Sequence, residues 1–234
     1  MKYKAIIFDL FGTLVDNMHH AQFQAVLGRM AALVQAPADR FEHLWNRDTW
    51  PMRSTGTLRV PGAIEYICHQ LGVNPAPEQI QQAADLRYSF TRDMLVPRPD
   101  AVETLTILKT AGYRLGLISD CTEDTAYYWP QTALAPLIDV PILSSEVGMK
   151  KPDPRIFLLA CERLGVEPAQ CLYMGDGGSN ELSGARAVGM YPVLIRAPYE
   201  NASNTRRQDE EQWDGPHISA VAEILNHVDS TLIA

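Results

Sequence analysis

The chain has 234 residues, longer than one average domain, so a core with a smaller accessory unit is the first expectation. Hydrophobic residues at 46% and charged residues at 21% are ordinary for a globular protein and exclude disordered or fibrous classes. A formal charge of −8 argues against a broad nucleic-acid or anionic-membrane surface, although one local positive charge leaves room for a small anionic substrate.

Tyr3 to Phe8 reads as a short buried strand, an apolar run stopped by Asp9 and then Gly12. Asp9 also interrupts the only apolar stretch near the N-terminus before it reaches the length of a secretory signal, and no run approaches membrane-spanning length. The cytoplasm is therefore the expected location. From residue 16 to 96 the pattern is helical: Asn17–Val34, Asp39–Asn46, Pro61–Leu71 and Pro77–Leu95, punctuated by Pro37, Gly56, Gly72 and Pro75. Strand-like runs return at Arg114–Ser119, Val140–Leu143, Cys171–Met174 and Pro192–Ile195. Between them lie helices Asp100–Ala111, Pro154–Leu164 and Glu181–Val188, each followed at once by glycine.

This alternation predicts an α/β fold: a Rossmann-like parallel sheet with helices on both faces, plus an all-helical cap. The expected division is 1–15 and 97–234 for the core and 16–96 for the cap. Tyr199 to Gly215 reads as a polar loop, followed by a short run near Ile218 and a helix over Ser219–His227. Cys68, Cys121, Cys161 and Cys171 form no CxxC pair and are expected as buried small hydrophobes. Nothing in the sequence points beyond a monomer or weak dimer.

In a parallel sheet, ligands bind beyond the carboxyl ends of the strands, and four polar segments fall there. Asp9-Leu10-Phe11-Gly12-Thr13 sets a carboxylate at a strand tip before a glycine turn, where it can act as a covalent nucleophile or simply cap a loop. Ser119, followed by Asp120, can donate a hydroxyl to an anion or cap the next helix. Lys151, in Lys151-Pro152-Asp153-Pro154, can neutralise neighbouring negative charge or sit solvated on the surface. Asp176 and Glu181, in a glycine-rich segment, suit an oxygen-seeking ion such as magnesium or form an acidic helix start. No G-x-G-x-x-G follows the first strand, which disfavours a dinucleotide enzyme.

This ordered set resembles the haloacid dehalogenase superfamily. Phe8-Asp9-Leu10-Phe11-Gly12-Thr13-Leu14 matches its first motif, Ser119 the second, Lys151 the third, and Gly175-Asp176 with Glu181, then Gly184 to Met190, the fourth. The resemblance implies that Asp9 attacks the electrophile, Thr13 braces the first loop, Ser119 binds a phosphoryl oxygen and Lys151 balances charge. It also implies a magnesium ion on Asp9, the Phe11 carbonyl and Asp176, with Glu181 direct or through water. Gly12, Asp120 and, from the cap, Arg53 complete the expected substrate contacts.

Phosphatases of the family usually carry a second aspartate, as general acid and base, where this chain has Phe11. Positioned proton transfer is typically worth about 10²–10⁴ in rate. Family phosphonatases also lack that aspartate but need a cap lysine, and Lys2, Lys4, Lys109, Lys150 and Lys151 all lie outside residues 16–96. Metal-free haloacid dehalogenases carry an aromatic residue there and need an arginine for the substrate carboxylate, for which Arg40, Arg47, Arg53 and Arg59 are candidates. The Asp176–Glu181 pair beside Asp9 favours a cation, and with it a small phosphorylated substrate over a haloacid. Proton donors left open are Asp120, His19, His20, His43 and the leaving group itself. A non-catalytic member that binds a phospho-ligand is the alternative from another class.

Overall fold

The computed structural model describes residues 2–200, 207, 209 and 213–228. Its sheet contains β1 (Ala5–Phe8), β2 (Arg114–Ser119), β3 (Val140–Leu143), β4 (Cys171–Gly175), β5 (Tyr191–Ile195) and β6 (His217–Ile218). All neighbours are parallel, in the order β3-β2-β1-β4-β5-β6. Side chains alternate between the faces of a strand, and two separate cores follow from that. Ile6, Phe8, Leu115, Leu117, Leu172, Met174, Val193 and Ile195 enter one, whereas Ala5, Ile7, Ile118, Cys171, Tyr173 and Leu194 enter the other. The apolar character of both registers is what a sheet covered on both faces requires.

Helix α6 (Ala101–Thr110) covers the first face with Ala101, Leu105 and Leu108. On the second, α9 (Pro154–Leu164) buries Ile156, Phe157, Ala160, Cys161 and Leu164, spaced along one helical stripe. Asp153 caps α9 by accepting a hydrogen bond from the Arg155 amide, and Gly165 ends it with φ of 64°. The helix α10 (Glu181–Ala187) lies on this face as well, through Leu182 and Ala185.

Between β1 and β2 the chain forms only helices: α1 (His20–Leu33), α2 (Ala38–Arg47), α3 (Trp50–Ser54), α4 (Val60–Leu71) and α5 (Pro77–Met94). They enclose their own apolar cluster, which includes Leu27, Met30, Phe41, Trp45, Ile64 and Ile67. The outgoing and returning chain meet where Val15 bridges Pro97 and the Arg98 amide donates to the Leu14 carbonyl. Helix α7 (Glu123–Tyr128) and the short α8 (Ser144–Val147) face this helical unit from the sheet side.

Several elements differ from expectation. Helix α1 starts at His20 rather than Asn17, because the Asn17 side chain is held elsewhere, on Met18 and Asp176. Helix α3 was not anticipated. The helix expected over Ser219–His227 is a 3₁₀ turn over Val221–His227, in which the buried Val221 and Ile224 recur at the three-residue period. Most of the expected 199–215 loop lies outside the described residues. All four cysteines are buried and free. Among the described residues, no helix is long and apolar enough to cross a membrane.

Candidate active site

Strands β1 and β4 stand at the point where the strand order reverses, the position at which open parallel sheets bind ligands. Asp9 follows β1 directly. Its amide donates to the Met174 carbonyl (2.8 Å), and the next turn closes as the amides of Thr13, Leu14 and Val15 all donate to the Leu10 carbonyl. Gly12 makes that turn possible with φ of +79°. The Asp9 carboxylate is 5% exposed and held at both oxygens. Thr13 Oγ1 donates to Oδ2 (3.2 Å), and Lys151 Nζ donates to Oδ1 (2.6 Å). Burial and the neighbouring Asp176 raise its pKa and Lys151 lowers it, leaving it at about 6.

Lys151 precedes α9 and is itself buried. Its amide donates to Asp120 Oδ1 (2.9 Å), while the ammonium also reaches Glu181 Oε2 and the Ile118 carbonyl. Burial opposes its charge, yet Asp9 and Glu181 hold it protonated well above the usual lysine range. Ser119, at the tip of β2, is 1% exposed, and its hydroxyl has no hydrogen-bond partner among the described residues. The same is true of Asp120 Oδ2. Two buried polar atoms without a partner among the described residues therefore sit side by side at the end of β2.

After β4 come Asp176 and Glu181. Asp176 Oδ1 accepts from the Gly178 amide (2.9 Å), and Oδ2 accepts from Asn17 Nδ2 (3.0 Å) and Arg207 Nε (2.7 Å). Glu181 is wholly buried: Oε1 accepts from the Gly177 amide (3.0 Å), Oε2 from the Tyr173 hydroxyl (2.7 Å) and from Lys151. A Cβ on Gly175 would lie 2.2 Å from Glu181 Oε1, so only glycine lets this carboxylate fold back against its own loop.

Asp9, Asp176 and Glu181 each offer an oxygen, and these oxygens lie within 4.8 Å of one another. Burial pushes the carboxyls of Asp176 and Glu181 up, Glu181 well above the usual range, and Asp9 adds to the effect on Glu181. An all-oxygen carboxylate set that resists losing its protons in isolation fits a hard divalent cation.

The structure thus sets Asp9, Thr13, Ser119, Asp120, Lys151, Asp176 and Glu181 at or just beyond the carboxyl ends of β1, β2 and β4, with Lys151 bonded to Asp9, Asp120 and Glu181. The Phe11 side chain, half-buried, packs against the sheet core. Arg53 is engaged within the helical unit: its guanidinium stacks 3.9 Å from the Trp45 ring centroid and donates to Thr49 Oγ1 and the Trp45 carbonyl. His19, His20 and His43 are exposed. Sequence reasoning missed Asn17, Tyr173 and Arg207. Tyr173 alone carried a signal, as a polar-tipped side chain in a buried strand whose hydroxyl needs a partner.

A model of haloacid dehalogenase-like hydrolases matches residues 3–189. The glyceraldehyde 3-phosphate phosphatase of Methanopyrus kandleri is 26% identical over 212 residues, covering 88% of this chain and 90% of the relative. The (S)-2-haloacid dehalogenase 4A of Burkholderia cepacia is 29% identical over 198 residues, covering 82% of each chain. Among solved structures, a HAD phosphatase from Thermococcus onnurineus superposes with a TM-score of 0.65 at 25% identity, over 96% of this chain and 97% of that one. With a parallel sheet, a buried aspartate directly after its first strand and a family match across most of its length, the chain belongs to the haloacid dehalogenase-like hydrolases.

Proposed function

We propose that the chain is a magnesium-dependent phosphatase that hydrolyses a small phosphomonoester through an aspartyl-phosphate on Asp9. The observation that carries this reading is the buried carboxylate cluster. Lys151 stands between Asp9 and Glu181, but one ammonium against three neighbouring carboxylates leaves part of their repulsion unbalanced and calls for further positive charge. Magnesium held by Asp9, Asp176 and the Phe11 carbonyl, with Glu181 direct or through water, would supply that charge and polarise the phosphoryl group.

The chain's own groups supply the rest. Thr13 and Lys151 fix the carboxylate of Asp9 from opposite oxygens, so that its attack on phosphorus begins from a held geometry. Ser119, whose hydroxyl has no partner among the described residues, donates to a phosphoryl oxygen, and Lys151 offsets the negative charge that develops there. An Asp9 oxygen–phosphorus bond forms as the bond to the leaving oxygen breaks and the leaving group departs as its oxyanion; water then attacks phosphorus, the bond to Asp9 breaks, and phosphate leaves carrying the protons of that water or passing one to the departed oxyanion. Glu181 acts by holding Lys151 as much as by approaching the cation. The helical unit from α1 to α5 serves as the cap that excludes water and selects the substrate. The phosphatase relative in Methanopyrus kandleri supports the same class.

Hydrolysis of p-nitrophenyl phosphate with and without magnesium, by wild type and Asp9→Asn, tests this reading. Turnover should require the metal and vanish in the variant; equal rates from the two proteins would overturn it. A second reading, metal-free 2-haloacid dehalogenation, is favoured by the aromatic Phe11 and by the Burkholderia relative. Chloride release from 2-chloropropionate in the presence of a chelator would establish it instead.

A further inference from the structure

Asp176 is already paired with a cation of the chain itself. Arg207 lies far along the sequence from every motif, yet its guanidinium is 3% exposed and its Nε donates to Asp176 Oδ2 at 2.7 Å. The same guanidinium binds Glu200 Oε2 through Nη2 (2.6 Å), and Glu200 in turn binds Arg98. Arg98 Nε donates to Asp16 Oδ1 (3.1 Å), which also accepts the Tyr199 hydroxyl (2.8 Å). Asp16 and Arg98 belong to the two chain crossings that flank the Val15–Pro97 bridge. One continuous chain of charged groups therefore runs from the crossings to Asp176.

We propose that Arg207 is a positioning residue that acts as the internal counter-cation of Asp176 and competes with the divalent cation for that carboxylate. Formal charge supports the competition. With all three acids ionised, as metal binding requires, Asp9, Asp176 and Glu181 set three negative charges against Lys151 and an Arg207 that is shared with Glu200, so the centre lacks at least one positive charge. A divalent ion in place of the Arg207 contact brings it to neutrality, while an ion added beside Arg207 forces two cations onto one carboxylate. Arg207 Nη1 is buried without a hydrogen-bond partner among the described residues. The guanidinium is thus incompletely satisfied where it stands, which lowers the cost of moving it. Arg207 sets how tightly the metal binds, and it keeps Asp176 paired whenever the metal is absent.

This inference rests on the proposed metal site, so its test separates the two. Magnesium binding is measured by isothermal titration, and melting is followed in chelator and in magnesium, for wild type, Arg207→Gln, Arg207→Lys and Asp176→Asn. Arg207→Gln should bind magnesium more tightly, by a factor within the roughly 5–150-fold range of coupled sites, with Arg207→Lys in between. In chelator Arg207→Gln should melt below wild type, and magnesium should close that gap. Arg207→Lys, which keeps the charge, guards against a variant that merely fails to fold. Equal or weaker magnesium binding by Arg207→Gln would overturn the competition while leaving the metal site standing. If none of the four proteins binds magnesium, the metal site falls and the competition with it.

Discussion

Gly12 and Asp176 approach so closely that a Cβ built on the glycine would stand 2.2 Å from Asp176 Oδ2 and 3.0 Å from Asn17 Nδ2. The loop after β1 thus runs directly against the carboxylate that follows β4, which is how Asp9 and Asp176 come to lie with carboxylate oxygens within 4.8 Å. Gly12→Ala adds a methyl group that has no room, at a φ that L side chains rarely adopt. The variant should keep its far-UV circular dichroism but lose turnover by about 10²-fold, the usual consequence of misplacing catalytic groups by an ångström. Weaker magnesium binding should accompany the loss.

Ser119→Ala separates function from stability. The hydroxyl is buried and makes no hydrogen bond within the described residues, so removing it takes away a desolvated group that the fold does not use. The melting temperature should stay level or rise. Turnover should fall, because a hydrogen bond to a charged phosphoryl group is worth about 1.5–3 kcal/mol, or on the order of 10–100-fold in kcat/KM. A drop in melting temperature with unchanged kcat/KM would mean that Ser119 is a structural group only.

Phe11 predicts a dependence on the leaving group. With no carboxylate on that side chain, departure of an alkoxide should be slow, whereas p-nitrophenolate leaves without a proton. Aryl phosphates should therefore react far faster than alkyl phosphates, and Phe11→Asp should narrow the ratio by about 10². Comparing kcat/KM for p-nitrophenyl phosphate and a simple alkyl phosphate in both proteins checks this. An unchanged ratio would assign the proton to another group, with Asp120 the first to examine, since its Oδ2 has no hydrogen-bond partner among the described residues.

What the sequence disclosed, and what it did not, divides along physical lines. The strand runs were legible because both registers of each strand are apolar, and the acids that end β1 and β4 then had to sit at the sheet's ligand edge. Helix α9 was legible to the residue, since Asp153, Pro154 and Gly165 are local signals of its two ends. Asn17 and Arg207 were not. They meet Asp176 across 159 and 31 positions of chain, and no periodicity or turn chemistry announces a contact at such separation. Arg53 is opaque for the opposite reason. Its position among helices is readable, but the sequence does not tell whether a guanidinium faces a cleft or stacks on Trp45, as it does.

The attachment of the helical unit to the core should depend on pH through Asp124. This residue of α7 is fully buried and meets Arg87 of α5 at 3.2 Å, with Thr91 and Thr122 donating to the same carboxylate. Burial alone would raise its pKa, but Arg87 and the two hydroxyls hold it below the ordinary 3.8. For a carboxyl depressed by folding, the unfolded chain takes up the proton first. The stabilisation is complete above about pH 4 and is lost as pH falls through the lower folded value. Asp124→Asn removes the charge at every pH and leaves the Arg87 guanidinium buried beside a neutral amide. That should cost about 3 kcal/mol near neutrality, the lower end for breaking one side of a buried pair. Denaturant melts of both proteins from pH 7 down to 3 provide the measurement. The difference between them should be constant from pH 7 to about 4 and shrink below that, because wild type then becomes neutral at the same position. A gap that stays constant through pH 3 would mean that the Asp124 charge contributes nothing to holding the two units together.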